Sequence, residues 1–149
     1  MRRLLSTAVA FAVLGLAAPA AMAQDSPWPF EPGEYVEVTG IDIDDGGNLK
    51  YAQWLAGEWR ANEDFAVAQG WLNSYELLTN LHPRKGEPDI YIIRRFNAFI
   101  DNAEADRRDK IMMERYKRTE AKLQEESAGR ASYRTVDGEM LLRKLEWKN

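Results

Sequence analysis

Trp71-Leu72-Asn73-Ser74-Tyr75-Glu76-Leu77-Leu78-Thr79-Asn80-Leu81-His82, then Pro83-Arg84-Lys85-Gly86-Glu87-Pro88, then Asp89-Ile90-Tyr91-Ile92-Ile93-Arg94-Arg95-Phe96-Asn97: these residues decide the fold. The outer pieces are rich in Leu, Ile, Thr and aromatic residues and alternate as strands do. The middle piece holds two prolines and a glycine, which end strands and turn the chain. A connection this short joins strands that run in opposite directions, so residues 71–82 and 89–97 are expected to form an antiparallel hairpin. The first strand would carry Trp71, Tyr75, Leu77, Thr79 and Leu81 on one face and Leu72 and Leu78 on the other. The second would divide Ile90, Ile92 and Phe96 from Tyr91 and Ile93.

Upstream, residues 34–43 alternate and are rich in Val, Ile, Thr and Tyr, which predicts a strand. Asp44-Asp45-Gly46-Gly47 turns the chain and Asn48 is a candidate helix cap. Residues 49–69 have helical period, with Ala52, Leu55, Ala56, Trp59 and Ala66 on one face, Leu49 and Tyr51 at its margins, and Gly70 at the C-terminal end. Downstream, Asp101-Asn102-Ala103-Glu104 has capping-box spacing. It opens a helix expected to reach about residue 126, with Ala105, Met112, Tyr116, Thr119 and Leu123 as its inner stripe. Residues 127–132 then read as a loop, and residues 133–147 contain a last strand centred on Met140-Leu141-Leu142.

The expected fold is therefore α+β, a ferredoxin-like βαββαβ domain with a four-stranded antiparallel sheet and two helices on one face. Helices cover one side of such a sheet, so the other side of an isolated domain should be polar. Here both sides are partly apolar, since the last strand divides Met140 and Leu142 from Leu141, Leu145 and Trp147. A homodimer that covers the helix-free face is expected.

The chain starts with Arg2-Arg3, continues with an apolar run from Leu4 to Ala18 and Pro19, and reaches Ala21-Met22-Ala23. This reads as a secretory signal peptide over residues 1–23 that directs general, Sec-type export to the periplasm or beyond, leaving no membrane anchor after cleavage. A Pro-rich extended arm follows at residues 24–33, with Trp28 and Phe30 between Pro27, Pro29 and Pro32. The remaining domain is residues 34–149. Cleavage leaves 126 of 149 residues and 18 cationic side chains against 24 acidic ones, a formal charge of −6. That balance argues against nucleic acid, which binds through a basic footprint. There is no cysteine, which removes disulfides, thiolate metal sites and thiol nucleophiles.

In element order, residues 34–147 resemble the dimeric α+β barrel superfamily, which includes antibiotic-biosynthesis-monooxygenase-like and stress-responsive barrel domains. Tyr35-Val36-Glu37-Val38-Thr39-Gly40-Ile41 and Gly86-Glu87-Pro88-Asp89-Ile90-Tyr91 are also similar to segments of small uncharacterised exported bacterial proteins. The resemblance implies two sheets closed into one barrel across a dimer, with ligands between each subunit's helices and sheet. Haem-degrading members bind iron through a histidine on the second helix, and residues 101–126 contain none.

Candidate chemistry is sparse. His82 is the single histidine, at a strand end, and has no second His or Cys to share a metal. Asp42, Asp44 and Asp45 do not have EF-hand spacing and suit a turn near a helix start, so no metal and no cofactor are expected. Trp54 and Phe65 lie off the first helix's inner stripe, where they could line a ligand mouth or be covered by neighbours. Trp59 points at the sheet. Arg94 and Arg95 point to opposite faces, and whichever is covered needs a carboxylate or a ligand anion. The candidate ligand-binding residues are Trp54, Trp59, Asn73, Tyr75, His82, Tyr91 and Arg94. The expected activity is binding of a small hydrophobic molecule between helices and sheet. The alternatives are a cofactor-independent oxygenase or isomerase, and a structural or partner-binding module that uses the Pro-rich arm.

Overall fold

A computed structural model describes residues 27–148; the expected signal peptide and the first residues of the arm lie outside the described residues. The chain is α+β. Its elements are β1 (Phe30–Ile43), α1 (Asn48–Trp54), a π-helical turn (Leu55–Trp59), α2 (Arg60–Ala68), β2 (Ser74–Thr79), β3 (Ile90–Phe96), α3 (Asn102–Tyr116), α4 (Glu120–Arg130) and β4 (Arg134–Trp147). The four strands form one sheet in the order β2-β3-β1-β4, and every neighbouring pair is antiparallel. The hairpin expected from the local pattern is present, although β2 is shorter than residues 71–82: Trp71 and Leu81 both lie outside it.

Register assigns the faces. Glu37 lies opposite Arg94, which lies opposite Tyr75, and Thr39 lies opposite Ile92, which lies opposite Leu77. These residues and Ile41 share the face on which Tyr51, Leu55 and Trp59 pack against Ile41 and Ile92 as the buried core. Val38 lies opposite both Ile93 and Met140 on the other face, where Val36 faces Leu142 and Leu78 faces Tyr91.

β1 begins earlier than expected, at Phe30, and absorbs the end of the arm. Pro32 is tolerated there because residues 30–32 pair only with β4, so the missing N–H faces an open edge. Phe30 packs on Trp147, with ring centroids 4.4 Å apart, and Trp28 meets Phe30 edge-on.

Four expectations about the helices are corrected. Asn48 does not cap the first helix: Gly47 holds that position, and a side chain there would lie 2.6 Å from the Tyr133 carbonyl oxygen. The close approach presses the start of α1 against the start of β4. The inner stripe is Tyr51, Leu55, Trp59 and Glu63, while Ala52 and Ala56 are exposed and Leu49 is 70% exposed. Four-residue spacing overshoots a straight α-helix by ~40° per step. The π turn's wider i→i+5 winding takes up that drift and keeps the stripe on the sheet.

The long second helix is in fact two. Lys117 adopts a left-handed conformation at φ 52° after α3, and Thr119 caps α4, its hydroxyl accepting from the Lys122 N–H at 3.2 Å. Helix α4 then continues through Gly129 to Arg130, where a loop was expected. Gly70, at φ 69°, ends α2 as expected.

Candidate functional site

A cavity of about 530 Å3 lies between the sheet and the helices. Its sheet wall is Glu37, Arg94 and Phe96. Trp54 and Trp59 from the first helical segment form a second wall, and Met112, Tyr116 and Leu123 from α3 and α4 close it. The last three are residues of the expected inner stripe. The break at Lys117 lets both helices turn that stripe toward one space.

Arg94 is the charged centre of this cavity. Its Nε donates to Glu63 Oε2 at 3.0 Å, a second guanidinium nitrogen bonds the other Glu63 oxygen, and Nη1 reaches Glu37 Oε1 at 3.4 Å. Glu63 is only 4% exposed, and the bidentate contact gives both of its carboxylate oxygens a partner. Burial opposes the charge on Arg94, but Glu63 and Glu37 together hold its pKa above the usual value. Arg118 repeats the pattern, holding Glu58 at 3.0 Å and Glu126 at 2.8 Å. Tyr116 sits between the two clusters; burial raises its pKa, and Glu58 and Glu63 add to the effect.

Of the candidate residues, the structure brings together Trp54, Trp59 and Arg94. Tyr75 lies behind Trp59, meeting it edge-on at 5.2 Å; its hydroxyl donates to Asp64, and it faces a separate cavity of about 370 Å3 with Leu55 and Leu77. Asn73 does not line the main cavity, although its neighbours Trp71 and Leu72 do; its side chain donates to Glu34 at 2.9 Å and Asn97 at 2.8 Å. His82 is exposed in the hairpin loop, where its backbone N–H donates to the Asn80 side chain. Tyr91 is on the helix-free face beside Val38 and Met140. Arg95 is on that face too, paired with Glu76 at 2.6 Å. Between the two arginines, Arg94 is the one that faces the cavity.

Sequence reasoning missed Glu63, Glu37, Arg118 and Arg130. Glu63 follows Tyr51, Leu55 and Trp59 at spacing four, a signal that was readable only if that stripe had been taken as the inner one. The others carry no local signal. Compared with known proteins, the chain matches no family model, no curated protein and no solved structure.

Proposed function

We propose that this chain is an exported, ferredoxin-like domain of the dimeric α+β barrel type that binds a small hydrophobic molecule between its helices and its sheet. The observation that carries this reading is the 530 Å3 cavity walled by Trp54, Trp59, Phe96, Met112 and Leu123. Its size falls within the range of about 300–1,000 Å3 used by small-molecule sites, and much of its charged lining is internally paired, Glu37 and Glu63 with Arg94 and Glu58 and Glu126 with Arg118. A purely structural module would fill this space with side chains. Read from the other edge, the strand order is β4-β1-β3-β2, and this order with antiparallel pairing supports the ferredoxin-like assignment.

Native mass spectrometry of protein taken from its own periplasm tests the binding reading. A retained adduct that is weakened or lost in Met112→Trp, which narrows the cavity, is the expected result. Clean apo mass from gently prepared protein overturns it.

A second reading, a cofactor-independent oxygenase or isomerase, draws on Tyr116 and the Arg94–Glu63 pair beside the same space. It predicts that the released adduct is a turnover mixture rather than one compound. The arm-based partner reading has less support, because Phe30 already packs on the chain's own Trp147.

The helix-free face supports the homodimer. Val38 and Ile93 form its centre, and Leu78, Met140 and Leu142 remain about half exposed around them. The Arg95–Glu76 pair lies at its margin.

A further inference from the structure

Three cations at the junction of α1, α4 and β4 lie over aromatic rings. The Lys50 Nζ is 4.3 Å from the Tyr133 centroid, the Arg130 guanidinium 4.5 Å from Trp54, and the Arg134 guanidinium 6.0 Å from Tyr51. Among the described residues, no carboxylate lies within ion-pair distance of any of the three. Arg94 and Arg118, by contrast, hold two carboxylates each.

Three N–H donors at the same junction are buried with no acceptor among the described residues: Trp54 Nε1, Arg130 Nε and Arg134 Nε. Trp54 stacks on Tyr51 at 5.5 Å, and both guanidiniums act on the buried Tyr51 hydroxyl, opposing the rise in pKa that burial causes. Trp54 and Arg130 line the main cavity, and Trp54 and Arg134 line a space of about 160 Å3 next to it.

Buried donors without acceptors are rare and call for a partner. Arg130 stands in the last turn of α4, where a cation complements the helix dipole. That accounts for one charge, but not for the buried N–H groups or for Arg134 on β4. The nearby acids leave the donors unserved: Glu37 and Glu63 are held by Arg94, and Glu58 and Glu126 by Arg118. Glu139 lines the smaller space but is exposed and beyond ion-pair distance of Arg134. Cations without a carboxylate partner, beside apolar walls, suit a negatively charged acceptor joined to an apolar body.

We infer that the ligand of the main cavity is an amphipathic anion. Its carboxylate- or phosphate-type head is taken by Trp54, Arg130 and Arg134, and its apolar body lies against Trp59, Met112 and Leu123. This inference rests on the binding reading above.

Titration calorimetry on the mature chain tests it with four probes: 2-naphthoate, 2-naphthalenemethanol, 2-naphthylmethylammonium and inorganic phosphate. Naphthoate is expected to bind about ten-fold or more tightly than the alcohol, as charge-assisted hydrogen bonds to a buried site imply. Arg130→Met, Arg134→Met and Trp54→Phe should each remove most of that preference, and a far-ultraviolet circular dichroism spectrum unchanged from the parent shows that the variants fold. Equal binding of naphthoate and the alcohol overturns the anionic head and leaves the binding reading standing. Tightest binding by the ammonium, or a naphthoate preference that survives all three variants, overturns it as well. Phosphate binding as tightly as naphthoate overturns the apolar body, and no binding by any probe overturns both readings.

Discussion

Glu63 and Glu37 meet Arg94 from 31 and 57 residues away, and their unequal burial sets what each contributes. Glu63 has almost no access to water, so removing its guanidinium strands a carboxylate in the core. Arg94→Met should therefore destabilise the chain by about 3 kcal/mol in urea unfolding, and adding Glu63→Leu should recover most of the loss. Glu104 acts in the opposite setting, at the exposed start of α3. Hydrogen bonds from Arg107 and Arg108 lower its pKa from 4.5 to about 2. A depressed folded-state pKa contributes stability that is complete above the unfolded value and is lost as pH falls toward the folded one. Hence Glu104→Gln should lower the urea midpoint at pH 7, and its gap from the parent should close between about pH 4.5 and 2. A gap that persists unchanged at pH 2 contradicts this origin. Glu87, lowered to about 2 by Arg84, titrates over the same window and stays in both proteins, so some acid sensitivity remains.

At the scale of elements, the informative feature is the break between α3 and α4. A non-glycine residue in left-handed conformation is disfavoured by the clash of its Cβ with the backbone, so Lys117→Gly should stabilise the chain by about 1 kcal/mol in chemical denaturation. Thr119→Ala removes the cap of α4 and should cost about 1 kcal/mol. Helical periodicity ran through this break because neither glycine nor proline marks it. Thr119 was legible as a cap only to a reading that did not already place it on the inner stripe. The start of α3 was readable, since Asp101 Oδ1 accepts from the Glu104 N–H at 2.8 Å as the spacing implied. The Glu104 side chain, however, turns to Arg107 and Arg108 instead of completing the box. The π turn left no sequence mark except the spacing of Tyr51, Leu55, Trp59 and Glu63, whose common face only the sheet could reveal.

For the whole molecule, the sheet has one face carrying helices and one carrying Val36, Val38, Leu78, Ile93, Met140 and Leu142. If a second copy covers the latter face, residues 24–149 scatter light as a dimer and Met140→Lys, with a charge on that apolar surface, shifts them to monomer. A monomeric parent chain counts against the barrel arrangement proposed here. The cavity between helices and sheet is independent of this face, so the proposed ligand retention should stay measurable when the dimer is lost.

Alternation and turn residues are local, so the sequence by itself determined the antiparallel hairpin, the α+β class and the opposite orientations of Arg94 and Arg95. Composition likewise removed thiol chemistry. Only the tertiary structure decided that Arg94 faces the helices, that Glu63 and Glu37 hold it, that α3 and α4 close a cavity, and that Trp54, Arg130 and Arg134 converge with unmet donors. The physical reason is separation along the chain. Strand and helix periods act over a few residues, whereas ion pairs and cavities form between segments that become neighbours only when the sheet assembles.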